Sequence, residues 1–358
     1  MVHKVTAHPK IQTLTQTLVV GFSGFKGNFT TEVIVGPELL ERKIEHGVVI
    51  IATGANEYQP EEFLYGQNDR VMTHIELAER LAKGEIREPD QVVMIQCVGS
   101  RNEENPNCSR VCCQSAIKNA LQIKKLRPEV NIYILYRDIR TYGLMEDHYT
   151  EARKQGILFF PFDPDEPPVV ETSGEDVRVT FNDPILGQQL KVRADILALS
   201  AGMVAEDTED LTSILKLARN SEGFFVEAHV KLRPVDMATE GIFLCGTAHS
   251  PKLITESISQ AFAAASRATT FLSQEQLTLS AVTAQVEQDR CAACLICVRS
   301  CPYGVPRINE EGVSEIDMAL CHGCGICASE CPAKAIELSW YEDDQLMSKI
   351  DALLEGVL

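Results

Sequence analysis

The chain has 358 residues, a formal charge of −18, and 45% hydrophobic against 23% charged side chains, the composition of a globular protein of two or three units. So acidic a surface argues against nucleic acid, whose affinity comes from Lys and Arg neutralising phosphates. No run approaches the roughly 18 apolar residues of a membrane helix. The opening MVHKVTAHPK lacks a charged-then-apolar leader, so a cytoplasmic location is expected, with the thirteen cysteines binding metal rather than forming disulfides.

In chain order, Leu18–Phe22 and Thr31–Val35 read as strands joined by a turn around Gly24 and Gly27. The apolar run His46–Gly54 reads as a buried strand stopped by Thr53-Gly54, since apolar runs bounded by turn residues suit that setting. From residue 91 the pattern alternates: strand Val92–Gln96, helix Ser115–Lys125, strand Asn131–Tyr136, helix Met145–Gln155 and strand Ile157–Pro161. An antiparallel hairpin follows (Val177–Phe181, Leu190–Val192), then strands Asp195–Ser200 and Gly241–Cys245 and an alanine-rich helix, Thr255–Leu272. Strands alternating with helices predict a mostly parallel sheet. Residues 273–289 read as a polar connector, and a short helix is expected from Asp344 to Leu354.

The most specific signal lies between the connector and that helix. Cys291-x2-Cys294-x2-Cys297-x3-Cys301-Pro302 is repeated as Cys321-x2-Cys324-x2-Cys327-x3-Cys331-Pro332. This doubled run is that of a bacterial-type ferredoxin with two [4Fe–4S] clusters, in which the fourth cysteine of each run crosses to the other cluster. Cys291, Cys294, Cys297 and Cys331 are then expected on one cluster, and Cys321, Cys324, Cys327 and Cys301 on the other. Zinc sites also use CxxC pairs, but do not need a third cysteine at x2 and a following x3-Cys-Pro, twice over.

A second cysteine group stands where a nucleotide-binding domain would carry G-x-G-x-x-G. After the strand ending at Gln96 the chain reads Cys97-Val98-Gly99-Ser100-Arg101, and Cys108 and Cys112-Cys113 follow before the helix. Only Gly99 is available there, so a pyrophosphate would be obstructed. Four thiolates at a helix N-terminus suit a third [4Fe–4S] cluster, while buried free cysteines or a redox dithiol remain open on spacing alone. Cys245 reads as a small core hydrophobe, and His249 as a structural loop histidine. Arg137, Asp138 and Arg140 end a strand at the sheet's carboxyl edge, facing either a cofactor or one another as surface ion pairs. Trp340 and Tyr341 are expected to pack over the ferredoxin unit.

Several segments together resemble the A subunit of heterodisulfide reductase and its bacterial homologues, electron-transfer flavoproteins on a thioredoxin-reductase-like frame. They are Ile95–Arg101, Cys108–Cys113, Tyr136–Gly143, Gly223-Phe224-Phe225, Lys231–Val235 and Gly241–Lys252, followed by the ferredoxin module. The resemblance implies that Cys97, Cys108, Cys112 and Cys113 ligate a [4Fe–4S] cluster. It also implies flavin contacts at Thr53, Gly54, Gly246 and Thr247. The family's flavin-domain strand with its glycine-rich phosphate loop is not found here. FAD is therefore expected only if another chain completes the site, and the sheet is expected to show an uncovered edge and an apolar cleft.

The expected architecture is α/β and thioredoxin-reductase-like, followed by an α+β two-cluster ferredoxin domain. Its divisions are an incomplete FAD-type domain (1–65 and 230–275), an α/β NAD-binding-like domain carrying the cysteine site (66–229), a linker (276–288), the ferredoxin domain (289–340) and a helical tail (341–358). No acid–base pair, nucleophile or oxyanion site emerges, so no catalytic residue is assigned. The expected function is single-electron relay among three [4Fe–4S] clusters, in one component of a multi-subunit anaerobic oxidoreductase. Heterodisulfide-reductase-like complexes are the main candidates, and benzoyl-CoA reductase complexes that recruit such subunits are another. The partners would be other electron-transfer and catalytic subunits. The alternative, a self-contained NAD(P)H-dependent flavin reductase with a ferredoxin tail, would show two G-x-G-x-x-G turns; the sequence has none.

Overall fold

A computed structural model describes residues 2–86, 89–174, 176–277 and 281–355. A short helix α1 (Val2–Thr6) leads to an antiparallel meander of β1 (Thr17–Phe25), β2 (Asn28–Val35) and β3 (Leu40–His46). β3 has no counterpart in the sequence reading. Its charged residues Glu41, Arg42 and Lys43 are exposed, as suits an edge strand, so it lacks the alternation that would reveal it. Phe29 of β2 packs on Ile51, Phe225, Ile242 and Leu244.

Of these, Ile51 belongs to β4 (Val49–Ile51), which pairs in parallel with β15 (Ile242–Leu244). The two form a two-stranded sheet, and among the described residues no strand occupies the other edge of β4. Ile50, in the middle of this all-apolar strand, is 42% exposed. The uncovered edge expected from the sequence is therefore present. β5 (Ala55–Glu57) pairs with β14 (Met203–Ala205) and ties this part to the next.

The α/β unit has five parallel strands in the order β6, β13, β7, β8, β9. They are β6 (Val71–Thr73), β7 (Gln91–Val98), β8 (Asn131–Tyr136), β9 (Leu158–Pro161) and β13 (Ile196–Ala201). Alternate residues face opposite ways along a strand, and both faces of β7 are apolar. Val92 and Met94 pack under α2 (His74–Lys83), α3 (Cys112–Leu126) and α4 (Glu146–Lys154). Val93 and Ile95 face a second, antiparallel sheet of β10 (Val169–Ser173), β11 (Asp176–Asp183) and β12 (Gln188–Ala194). α2 was not anticipated, although Thr73 and Glu76 form a capping box and Gly84 closes it in the left-handed conformation, which are sequence-readable signals.

A short α5 (Glu209–Leu215) and the long α6 (Ile254–Leu272) complete this half, with Ala264 and Ala268 of α6 packed on Phe243. In the C-terminal unit β16 (Ala284–Val286) pairs with β19 (Ile336–Leu338), and β17 (Arg307–Ile308) with β18 (Ser314–Glu315). Two one-turn helices, α7 (Ile296–Ser300) and α8 (Ile326–Glu330), lie within the cysteine runs and carry Cys297 and Cys327, and α9 (Asp343–Leu354) ends the described chain. β16 lies within the stretch read as connector, of which residues 278–280 fall outside the described ones. Trp340 and Tyr341 are 56% and 53% exposed, and Trp340 lines a cavity with Gln285, Asp317 and Met318 of the ferredoxin unit. The chain turns there with Trp340 at φ 71° and leaves both rings outside the ferredoxin core.

Candidate metal centres and the adjoining cleft

Cys97 lies at the carboxyl end of β7 with φ 63°, and Arg101 and Arg110 in the following loop also have positive φ (59° and 63°). Such strain in non-glycine residues costs on the order of 1–3 kcal/mol each and gathers at functional sites. α3 begins at Cys112, earlier than the apolar periodicity suggests, so Cys112 and Cys113 form its first turn. Cys112 Sγ lies 3.5 Å from the Ala201 carbonyl oxygen at the end of β13, and Cys113 Sγ 3.9 Å from that of Asp138 after β8. The Arg110 amide donates to Cys108 Sγ (3.3 Å), and Arg101 Nη1 stands 3.9 Å from Cys97 Sγ. Three strand ends and one helix N-terminus thus surround these thiols, at the edge where α/β sheets bind ligands.

The four thiols feel one another. Burial pushes Cys112 upward, and Cys113, Cys97 and Cys108 push it further. Burial likewise raises Cys113 to about 11, with Cys97 and Cys108 adding to the rise. Burial also raises Cys97, against the pull of Arg101 and Arg137. Thiols held this way are costly as thiolates until a cation neutralises them. Around them Asp138 forms ion pairs with Arg101 and Arg140, so those side chains do pair as the sequence allowed. Arg110 crosses to Glu256 at the start of α6. Sequence reasoning missed Tyr58, whose ring lies over Gly99; a side chain at that glycine would strike it.

In the ferredoxin unit Cys301, Cys321, Cys324 and Cys327 line one small cavity of about 20 Å³. Cys327 is raised to about 11 by burial and then by Cys321, Cys301 and Cys324. The fourth cysteine of the first run therefore sits with the first three of the second. Cys291 accepts from the Ser314 amide (3.4 Å), Cys297 Sγ lies 3.3 Å from Ser314 Oγ, and Cys331 accepts from the Ala335 amide (3.3 Å). Cys291, Cys297 and Cys331 share one core with Cys321 and Cys327, while Cys294 and Cys324 are exposed. Among the described residues no group of three or more His, Cys, Asp or Glu gathers as tightly as one metal ion requires. Thiolates around a four-iron cubane stand further apart, because irons and sulfides lie between them.

Beside Cys112 opens a mostly apolar cleft of about 1050 Å³ between α3 and α6. Gly54, Gly246 and Thr247 line it, as does the buried Cys245; Thr53 is not among its lining residues. Gly54 (φ 89°) and Gly246 (φ 73°) are bare toward it, since a Cβ would meet only Thr247 Oγ1 at 4.0 Å in the first case and nothing within 4 Å in the second. The Gly246 peptide is fixed from both sides: its N–H donates to Gln260 Oε1 (2.9 Å) and its carbonyl accepts from Lys252 Nζ (2.8 Å). His249 Nδ1 lies 2.8 Å from Gln260 Nε2, so His249 braces this turn. Burial lowers Lys252 to about 8.

Among known proteins, the family described as 4Fe-4S binding domain (Fer4) matches residues 314–337. The first of two iron-sulfur A subunits of the CoB–CoM heterodisulfide reductase of Methanopyrus kandleri is 36% identical over 348 residues, covering 90% of this chain and 52% of that protein. The A subunit of the H(2)/formate:CoB-CoM heterodisulfide,ferredoxin reductase of Methanococcus maripaludis is 39% identical, covering 88% and 51%. The chain thus spans about half the length of these relatives. Among solved structures, Lactococcus lactis thioredoxin reductase aligns with 18% identity and a TM-score of 0.47, over 72% of this chain and 74% of that one. No helix among the described residues is long and apolar enough to cross a membrane. Over the half of the relatives' length that it spans, the chain belongs to the family of heterodisulfide reductase A subunits, with a 4Fe-4S binding domain near its C-terminus.

Proposed function

We propose that the chain is the iron–sulfur electron-transfer part of a multi-subunit oxidoreductase, relaying single electrons among three [4Fe–4S] clusters and on to partner subunits. The observation that carries this reading is the convergence of Cys97, Cys108, Cys112 and Cys113 where a nucleotide would otherwise bind, against a cleft with the bare glycines Gly54 and Gly246. These four thiols hold one cluster. Cys291, Cys294, Cys297 and Cys331 hold the second, and Cys321, Cys324, Cys327 and Cys301 the third. When bound, such clusters accept and release one electron at a time without making or breaking a covalent bond.

The cleft fits a flavin ring, with Gly54, Gly246 and Thr247 against it and Thr53 beside Gly54. Polypeptide beyond these 358 residues then completes the FAD site, laying a strand along the free edge of β4 and covering Ile50. The partners are other electron-transfer and catalytic subunits, as in the complexes after which the relatives are named. An anaerobic reductive titration followed by electron paramagnetic resonance tests the relay. Uptake of about three electrons per chain, with a signal that disappears in Cys112→Ser, is the expected result for three one-electron centres. Uptake of about two, unchanged by that substitution, would sink the reading of the Cys97 group.

A further inference from the structure

None of the 12 residues of α9 is buried. A helix of that length is marginal alone in water and is ordinarily held by packing one amphipathic face. Leu346, Met347, Ile350, Leu353 and Leu354 are instead all exposed, between 37% and 78%. At the helical period they form one stripe, and Asp344, Asp351 and Glu355 follow one another along one of its borders. Among the described residues none of these three carboxylates forms an ion pair. On the other border Lys349 turns back on the preceding chain: its Nζ donates to the Trp340 carbonyl (3.0 Å) and lies 5.0 Å from the Tyr341 ring centre. At the root of the helix Trp340 and Met318 are exposed too, and with Gln345 of α9 they line a cavity against Asp317. The Cys321 amide donates to the Asp317 carbonyl (3.1 Å), so this patch adjoins the loop that carries Cys321.

We propose that α9 is a docking helix: it seats a partner subunit whose apolar groove is bordered by Lys or Arg, and so holds that partner beside the Cys321 loop of the ferredoxin unit. The proposal rests on the reading of this chain as one component of a multi-subunit oxidoreductase. A helix bound in a groove is anchored at i, i+4 and i+7, the spacing of Leu346, Ile350 and Leu353. Charge decides among the occupants. From Glu342 to Glu355 the chain carries five acidic side chains and one lysine, the engaged Lys349. Two copies paired antiparallel would set one acidic border against the other, and in parallel each acidic border would meet a lysine already held. A lipid surface recruits helices with Lys and Arg on the polar face and is itself anionic, the opposite of what α9 offers. A groove with a basic rim buries the stripe and complements its border at once.

The test is amide hydrogen exchange on the complex purified anaerobically from its native source and on the iron-loaded full chain alone, joined to a dilution series that reads how tightly the complex holds. The amides of α9 are expected to exchange freely in the chain alone and to be protected in the complex. Ile350→Gln with Leu353→Gln keeps good helix formers and touches no cluster ligand, so iron should be unchanged while the complex weakens at least tenfold. Asp344→Asn with Asp351→Asn leaves the stripe intact and should weaken the complex at low salt and flatten its salt dependence. Free exchange of α9 in the complex, or a Gln pair that assembles as tightly as the unmodified protein, would overturn the proposal. So would an Asn pair with unaltered salt dependence, or protection of α9 that the chain alone acquires on self-association or on anionic phosphatidylglycerol vesicles. Iron and electron uptake are measured on the same samples. A fully iron-loaded chain that brings no partner from its native source would refute the multi-subunit reading itself, whereas an intact complex with α9 unprotected refutes the docking helix alone.

Discussion

Substituting Gly99 by alanine is a sharp test of how the turn after β7 is built. The residue has φ 64°, and a methyl group on it would stand 2.6 Å from Tyr58 Cγ and nearer still to Cδ1 and Cε1. The left-handed backbone costs an alanine roughly 1 kcal/mol relative to glycine. Displacing a packed ring adds about 1–3 kcal/mol. Tyr58 cannot simply slide away, because its amide is tied to the Gly202 carbonyl (2.8 Å). We expect Gly99→Ala to destabilise the α/β unit by about 2–4 kcal/mol in urea unfolding and to lower the iron retained by the Cys97 group. In a double-mutant cycle Tyr58→Ala should relieve the clash but not the backbone cost, giving a coupling energy of at least about 1 kcal/mol. Wild-type stability with full iron in Gly99→Ala, or additivity with Tyr58→Ala, would refute this account of the turn.

Other expectations follow from single sites. Burial lowers the His74 pKa from 6.5 to about 3, so the folded protein keeps it neutral while the unfolded chain binds the proton. Stability from this group is full above about pH 6.5 and is lost as pH falls toward 3, by up to about 1.4 kcal/mol per unit; His74→Gln should flatten that slope in acid-unfolding curves. Glu256 accepts from the Leu253 amide (2.8 Å) and pairs with Arg110. Glu256→Ala should therefore cost roughly 1–2 kcal/mol, mostly as a lost helix cap, measured by thermal unfolding. The crossed ligand sets are tested by counting iron. Cys301→Ser combined with Cys324→Ser should lose no more iron than either alone, about four per chain, whereas Cys301→Ser with Cys294→Ser should lose about eight; the reverse pattern would contradict the crossing.

Much of the architecture is legible because it is written in periodicity. β8 falls on Asn131–Tyr136 as read, and the alanine-rich α6 within one residue of its expected start. The doubled cysteine spacing also anticipates that Cys301 stands with Cys321, Cys324 and Cys327, which do line one cavity. What escapes the sequence depends on partners distant in the chain. β3 is charged and exposed on an edge, so nothing in its own residues marks it as a strand. The choice between ion pair and cofactor contact at Arg137, Asp138 and Arg140 divides between them: Asp138 joins Arg101 to Arg140, while Arg137 donates to the Arg101 carbonyl. No local pattern encodes that Tyr58 covers Gly99, or that Arg110 crosses to α6.

The central claim is that twelve of the thirteen cysteines hold three four-iron clusters. Its most direct test is iron and acid-labile sulfide determined together on the anaerobically purified chain. About twelve irons and twelve sulfides per chain is the predicted result. About eight of each would contradict it, leaving Cys97, Cys108, Cys112 and Cys113 as thiols beside an ordinary ferredoxin pair.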